Sequence, residues 1–257
     1  MGFKACLIAF VVFSLCVVTK AELHEFNLPD GRSIKAEIVD FNGRLGLVEL
    51  RLENGKVKKV KPALFVEADQ AFIKNWAELS GFRSPSSFKV SGKKKQIEKW
   101  KNEEEGQIRY SDGSVETEVI SVEKFEKFNY ELLLENRNAT SLEGITLKYC
   151  IFYEQSVASG SGTKRSEAVM NQKVVSGAMD VPALKANGKA VLTTKPVVIH
   201  EKEWSGDYLY AGGDPIKEQG DIHGVWIRVS MTGADGEPVI RDIYEPSGIQ
   251  GKFTWKE

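Results

Sequence analysis

The chain has 257 residues, 42% hydrophobic and 28% charged, with a formal net charge of −1. That balance excludes a disordered chain and a membrane bundle, and with no basic excess there is nothing to release counterions from a nucleic-acid backbone. At this length two domains of ordinary size are expected.

Residues 1–21 read as a targeting segment. Lys4 gives a positive start, Ala5–Val18 is an apolar run, and Thr19-Lys20-Ala21 places small residues where a signal peptidase reads. The run is shorter than the roughly 20 apolar residues a spanning helix needs. Cleavage after Ala21 is expected, giving an exported, periplasmic or extracellular chain. The rival, lipoprotein processing at Cys16, is disfavoured by the bulky Leu15 before it. Cleavage removes Cys6 and Cys16, so Cys150 stands alone and no internal disulfide is expected.

From Leu23 to Lys61 the pattern is strand, turn, strand. Pro29-Asp30-Gly31 is a turn, with proline presetting φ and glycine accepting a positive one. Ile34, Ala36 and Ile38 alternate with Lys35, Glu37 and Val39. Val48, Leu50 and Leu52 alternate in the same way, and Asn54-Gly55 is a strong hairpin signal leading into Lys56–Lys61. A meander of about four short strands follows. VEADQAFIKNW, Val66 to Trp76, is a short helical phrase whose Phe72, Ile73 and Trp76 gather on one face, placed to seal the open end of a small barrel.

Gly31-Arg32, the alternation Ile34-Lys35-Ala36-Glu37, the Asn54-Gly55 hairpin, then Ala68-Asp69-Gln70-Ala71-Phe72-Ile73 and Trp76 together resemble the SLA-one homology domain, over about residues 23–79. That family is an SH3-like β-barrel module first known from an endocytic clathrin adaptor, and similar modules occur in exported bacterial proteins. The resemblance implies a barrel with a closing helix, and recognition of short NPFxD-type peptides through a basic surface. Lys56, Lys58, Lys59 and Lys61 are the residues here that could supply one. Phe26 stands where bacterial examples often have Trp, and Val66 where a capping Ser is usual. Read without the resemblance, the same lysines are an edge strand guarded against aggregation.

Ser80–Ser87 has linker composition, and KKKQIEKWKNEEE, Lys93 to Glu105, reads as a solvated connector or a short helix seeded by Ile97 and Trp100, so residues 80–105 are expected to link two domains. From Gly106 onward turn-separated alternating runs return: Phe128 to Leu134, Ile145 to Tyr153, Val174 to Val181, Ala190 to His200, Gly224 to Met231 and Pro238 to Tyr244. Six to eight strands without a helical period indicate an antiparallel β-sandwich of immunoglobulin or fibronectin type over 106–257. The fold class is therefore all-β, a small barrel followed by a sandwich.

No catalytic or cofactor signature appears. His24, His200 and His223 are scattered, GxSxG is absent, and Cys150 sits on a strand as a passive thiol. SGSG in the Ser156–Ser166 stretch lacks the GK[ST] and helix of a phosphate loop. Two readings of function remain. One is a non-enzymatic binding or scaffold protein recognising protein or peptide through the small barrel and the sandwich loops, Tyr208 and Tyr210 being the candidate loop contacts. The other is a polysaccharide-binding accessory or hydrolase with Tyr208, Tyr210 or Trp204 as stacking rings. A self-associating structural component is a third possibility.

Overall fold

The computed structural model describes residues 23–158, 168–204, 217–233 and 236–256. The protein is all-β, with antiparallel sheets and, among the described residues, one α-helix. The strands are β1 (His24–Asn27), β2 (Ser33–Asn42), β3 (Leu47–Leu52) and β4 (Val57–Val60), then α1 (Glu67–Arg83), followed by β5 (Phe88–Arg109), β6 (Val115–Asn136), β7 (Ile145–Ala158), β8 (Ala168–Asp180), β9 (Lys189–Thr193), β10 (Val197–Trp204), β11 (Lys217–Glu218), β12 (Gly220–Thr232) and β13 (Pro238–Glu245). Two compact units divide the chain, one holding the described residues to Asn42 and Gly46–Gln70, the other Gly43–Leu45 and everything from Ala71. The boundary falls inside α1, after Gln70 rather than after Leu79.

The first unit is the expected meander, with strand order β1-β2-β3-β4. Its turns are where sequence chemistry requires them: Gly31 and Gly55 both have positive φ. Phe26, Ala36, Ile38, Val48, Leu50 and Phe65 form the buried face, and the Phe26 and Phe65 rings meet at 5.1 Å. The first turn of α1 is fixed to β1 by Asp69, a buried carboxylate that accepts from the Asn27 amide at 2.7 Å and pairs with His24 Nε2 at 2.8 Å. Burial alone would raise the acid's pKa; the Asn27 amide, the His24 ring and the Asn27 side chain outweigh it and hold Asp69 below the usual carboxylate range.

The second unit is a sandwich. One sheet has the order β11-β10-β6-β5, with β9 also paired to β6; the other has the order β13-β12-β7-β8. β5 and β6 lie in the first sheet, β7 and β8 in the second, β9 to β11 return to the first, and β12 and β13 to the second. These crossings give the arrangement of immunoglobulin and fibronectin-type sandwiches. Phe88, Leu132, Leu134, Leu147, Ile151, Val225, Ile227 and Val229 meet in the shared core. Central β12 buries Val225, Ile227 and Val229 on its inner side, while on its outer side Trp226, beside Arg228 and Ser230, joins a second cluster. There Ile249, Phe253 and Trp255, beyond the last strand, cover Cys150 and Phe152.

Residues 80–105 are not a linker. α1 runs on through Ser80-Gly81 to Arg83, and Lys93–Glu105 lies within β5, paired along its length with β6. The charged residues come in blocks, Lys93–Lys95 at one end and Glu103–Glu105 at the other, and opposite charges meet across the ladder, Lys99 with Glu126 at 2.9 Å, Lys95 with Glu131, Lys127 with Glu98. Cross-strand pairing thus supports a strand that propensity alone disfavours. Gly81 serves packing rather than flexibility: a Cβ there would lie 2.5 Å from the Asn138 amide. The helix end is clasped by Arg241, which donates to the Phe82 carbonyl at 2.6 Å and the Phe88 carbonyl at 2.8 Å, supplying one of the carbonyl partners that a helix terminus lacks. The expected Ala190–His200 strand is two, β9 and β10, because Pro196 between them has no amide to continue a ladder.

Tyr130 lies buried in the sandwich core. Burial, reinforced by Asp221 and Glu245, pushes its phenol up to about 12. The unfolded phenol ionises near pH 10, so the folded state holds the proton longer. The stability this group supports is complete below about pH 10 and is lost as pH rises through about 12. At about 1.4 kcal/mol per unit the loss is roughly 2 to 3 kcal/mol. Tyr130→Phe is expected to preserve stability at neutral pH and to flatten the decline between pH 10 and 12 in urea unfolding. Parallel pH curves for the two proteins would dismiss the assignment.

Candidate ligand-binding surfaces

The lysine strand does not form one patch. β4 is the edge of its sheet, and its register sets Lys58 opposite buried Leu50 and Lys59 opposite Glu49. Lys58 and Lys59 therefore face opposite sides. Lys59 is tied to Glu49 at 2.5 Å, which raises its pKa through hydrogen bonding and charge. Lys56 and Lys61 flank the strand, exposed. Lys58, a charge on the core-facing side of an edge strand, discourages further pairing.

The larger surface belongs to the sandwich. On β5 only Phe88 and Val90 are buried, yet the hairpin continues to Arg109 opposite Val115. β10 joins its other side, from Val197 opposite Phe128 to Trp204 opposite Ser121. Beyond the core these three strands form an arm whose side chains are mostly polar. Where the arm leaves the core, one strand passes from sheet to sheet: β11 pairs β10, and two residues later β12 pairs β7. Gln155, buried on β7, bridges the gap. Its amide donates to the His200 carbonyl at 3.0 Å, and its carbonyl accepts the His200 amide at 3.1 Å, completing the β10 edge before β11 takes over. Ser156 Oγ meets the Gln219 backbone at 2.6 Å and 3.1 Å. Gly220 sits at the crossing, where a Cβ would lie 2.4 Å from Gln155 Oε1 and 2.8 Å from Ile199 Cβ.

A cleft of about 220 Å³ opens at this corner, walled by Lys99, Lys124 and Glu126 of the hairpin and by Ile199, His200 and Glu201 of β10, with Gln219 and Gly220 at its floor. Its lining is of mixed sign, and the Lys99–Glu126 pair raises the lysine's pKa by hydrogen bonding. On the arm's other face, Trp100, Phe125 and His200 stand in one cross-strand row. Trp100 and Phe125 stack at 5.0 Å with 4° between planes, Phe125 and His200 lie 5.8 Å apart, and His200 Nε2 reaches Glu218 at 3.1 Å. Lys202 lies 4.0 Å over the Trp204 ring. Sequence reasoning missed this row, since only the register aligns three residues so far apart in the chain. Alternation of Trp100 with charged neighbours was the local signal. Tyr208 and Tyr210 lie outside the described residues.

Cys150 is buried, its thiol donating to the Lys256 carbonyl at 3.0 Å, and burial raises its pKa, the opposite of an activated nucleophile. Among the described residues no group of three or more His, Cys, Asp or Glu side chains is placed to hold a metal ion, and no helix is long and apolar enough to cross a membrane.

No protein-family model matches the chain, and no curated protein does. Solved structures that match include the X-ray structure of Northeast Structural Genomics Consortium target SoR45, 13% identical, covering 62% of this chain and 83% of that one, at a TM-score of 0.25. A superposition that loose carries no argument.

Proposed function

We propose that this is an exported, non-enzymatic binding or scaffold protein that recognises protein or peptide ligands. The reading rests on one observation, the length of the arm. Strands stabilise a sandwich through what they bury, and β5 buries only Phe88 and Val90. The rest of the ribbon adds little to the core, and its ordered faces of mixed charge suit a partner with charges and an extended backbone. The cleft's Lys99 and Lys124 supply positive sites for ligand carboxylates, Glu126 and Glu201 negative ones. In this reading the signal segment directs export, the first unit is an SLA-one-like module, and no cofactor is required.

A random peptide library selected on the purified protein tests this. Enriched peptides are expected to carry carboxylates and to lose about tenfold in affinity, roughly 1.4 kcal/mol, on Lys99→Glu with Lys124→Glu. No enrichment at 100 µM would sink it. The Trp100–Phe125–His200 row favours a second reading, a polysaccharide-binding accessory with ring stacking; enrichment on a glycan panel, abolished by Trp100→Ala, would select that one instead.

A further inference from the structure

We infer that the protein forms a two-fold symmetric dimer through β8, independently of which ligand it binds. β8 ends its sheet, and among the described residues nothing pairs with its outer side. Other edges are short or guarded, β1 having four residues and β9 five. β4 carries lysines, β5 is dense in charge, β11 has two residues, and β13 opens on Pro238 and extends Arg241 toward the start of β5. β8 runs thirteen residues, AVMNQKVVSGAMD, with only Lys173 and Asp180 charged. Val169 is 58% and Met170 48% exposed. A long, weakly charged edge is what proteins normally avoid unless a strand covers it.

The occupant that fits is a second copy. The Ser156 amide bonds the Gln219 carbonyl on the β12 side of β7, and the Gly233 amide bonds the Glu237 carbonyl on the β13 side of β12, so the even-numbered residues of β7 turn to β12 and its odd-numbered ones to β8. Lys173, Val175, Gly177 and Met179, opposite odd-numbered β7 residues, therefore bond β7, and the alternation turns the peptide groups of Met170, Gln172, Val174, Ser176 and Ala178 to the open side. A two-fold axis normal to the sheet keeps faces matched only if residues of equal parity stand opposite. Centred on Val174, it pairs the whole strand: Val169 meets Met179 of the second copy, Met170 meets Ala178, and Lys173 meets Val175. No like charges are opposed, whereas centring on Lys173 would set two lysines face to face. About a dozen backbone hydrogen bonds form, both exposed apolar side chains gain apolar neighbours, and the interface is closed, so it ends at two chains.

Sedimentation of the purified protein is expected to show a dimer at 100 µM. Gln172→Pro removes an amide that points away from β7, and should give a monomer with a cooperative melt. Val174→Cys is expected to cross-link across the axis under mild oxidation, while Gln172→Cys, about 14 Å from its symmetry mate at 3.4 Å per residue, should not; a disulfide needs Cα atoms within about 7 Å. A monomer at 100 µM, a dimer that Gln172→Pro leaves intact, or cross-linking at Gln172→Cys in preference to Val174→Cys would each overturn the assignment.

Discussion

Asn136→Ala is expected to destabilise the second unit by about 3 to 4 kcal/mol, more than an ordinary surface change. Asn136 is 1% exposed at the end of β6. Its amide nitrogen donates toward the carbonyls of Thr140 at 2.8 Å, Lys185 at 3.0 Å and Leu184 at 3.1 Å, and its oxygen accepts from the Asn138 amide at 3.0 Å. One side chain thus ties the 137–144 connection to the segment before β9. The Leu184 and Lys185 carbonyls keep backbone partners in Leu142 and Gly188, so truncation orphans the Thr140 carbonyl and the Asn138 amide, at roughly 1 to 3 kcal/mol each when no water reaches them. Asn136→Asp should be nearly as costly, since a carboxylate cannot donate. Urea unfolding followed by circular dichroism reads the change; a shift below about 1 kcal/mol would mean that solvent replaces these bonds.

Gly220→Val is expected to cost about 3 kcal/mol and to abolish the cleft. Any Cβ at this position meets Gln155 and Ile199 well inside contact distance, and both neighbours are held, Gln155 by two bonds to the His200 backbone. Relief requires β11 to leave β10 or Gln155 to leave the sheet edge. Either orphans buried polar groups and removes the floor beneath Lys99 and Lys124. Loss of peptide binding should therefore accompany the drop in melting temperature. A valine variant that keeps both would show that the crossing has slack.

Much of the fold was legible because its signals are local. Asn54-Gly55 and Gly31 specify their turns alone, and the alternation of Val48, Leu50 and Leu52 specifies a face. The misreadings share a cause. Lys93–Glu105 hides a strand because both faces are polar, so period two leaves no hydrophobic trace; only its partner β6 reveals it. Gly81 looked like linker because the reason for it, Asn138, lies far along the chain. The lysine strand looked like a patch until register split Lys58 from Lys59. For the site the deficit is larger, since Gln155, Gly220 and the Trp100–Phe125–His200 row acquire meaning only from cross-strand neighbours.

The β5–β6 ribbon turns at Asp112-Gly113, so each rung closes a loop only slightly longer than the last, and loop entropy grows slowly with length. β10 reaches β6 only after about seventy intervening residues have been gathered in, from Phe128 to Val197. The ribbon can therefore zip outward by itself as the chain emerges, whereas the cleft wall awaits a distant strand: the scaffold of the site precedes the site.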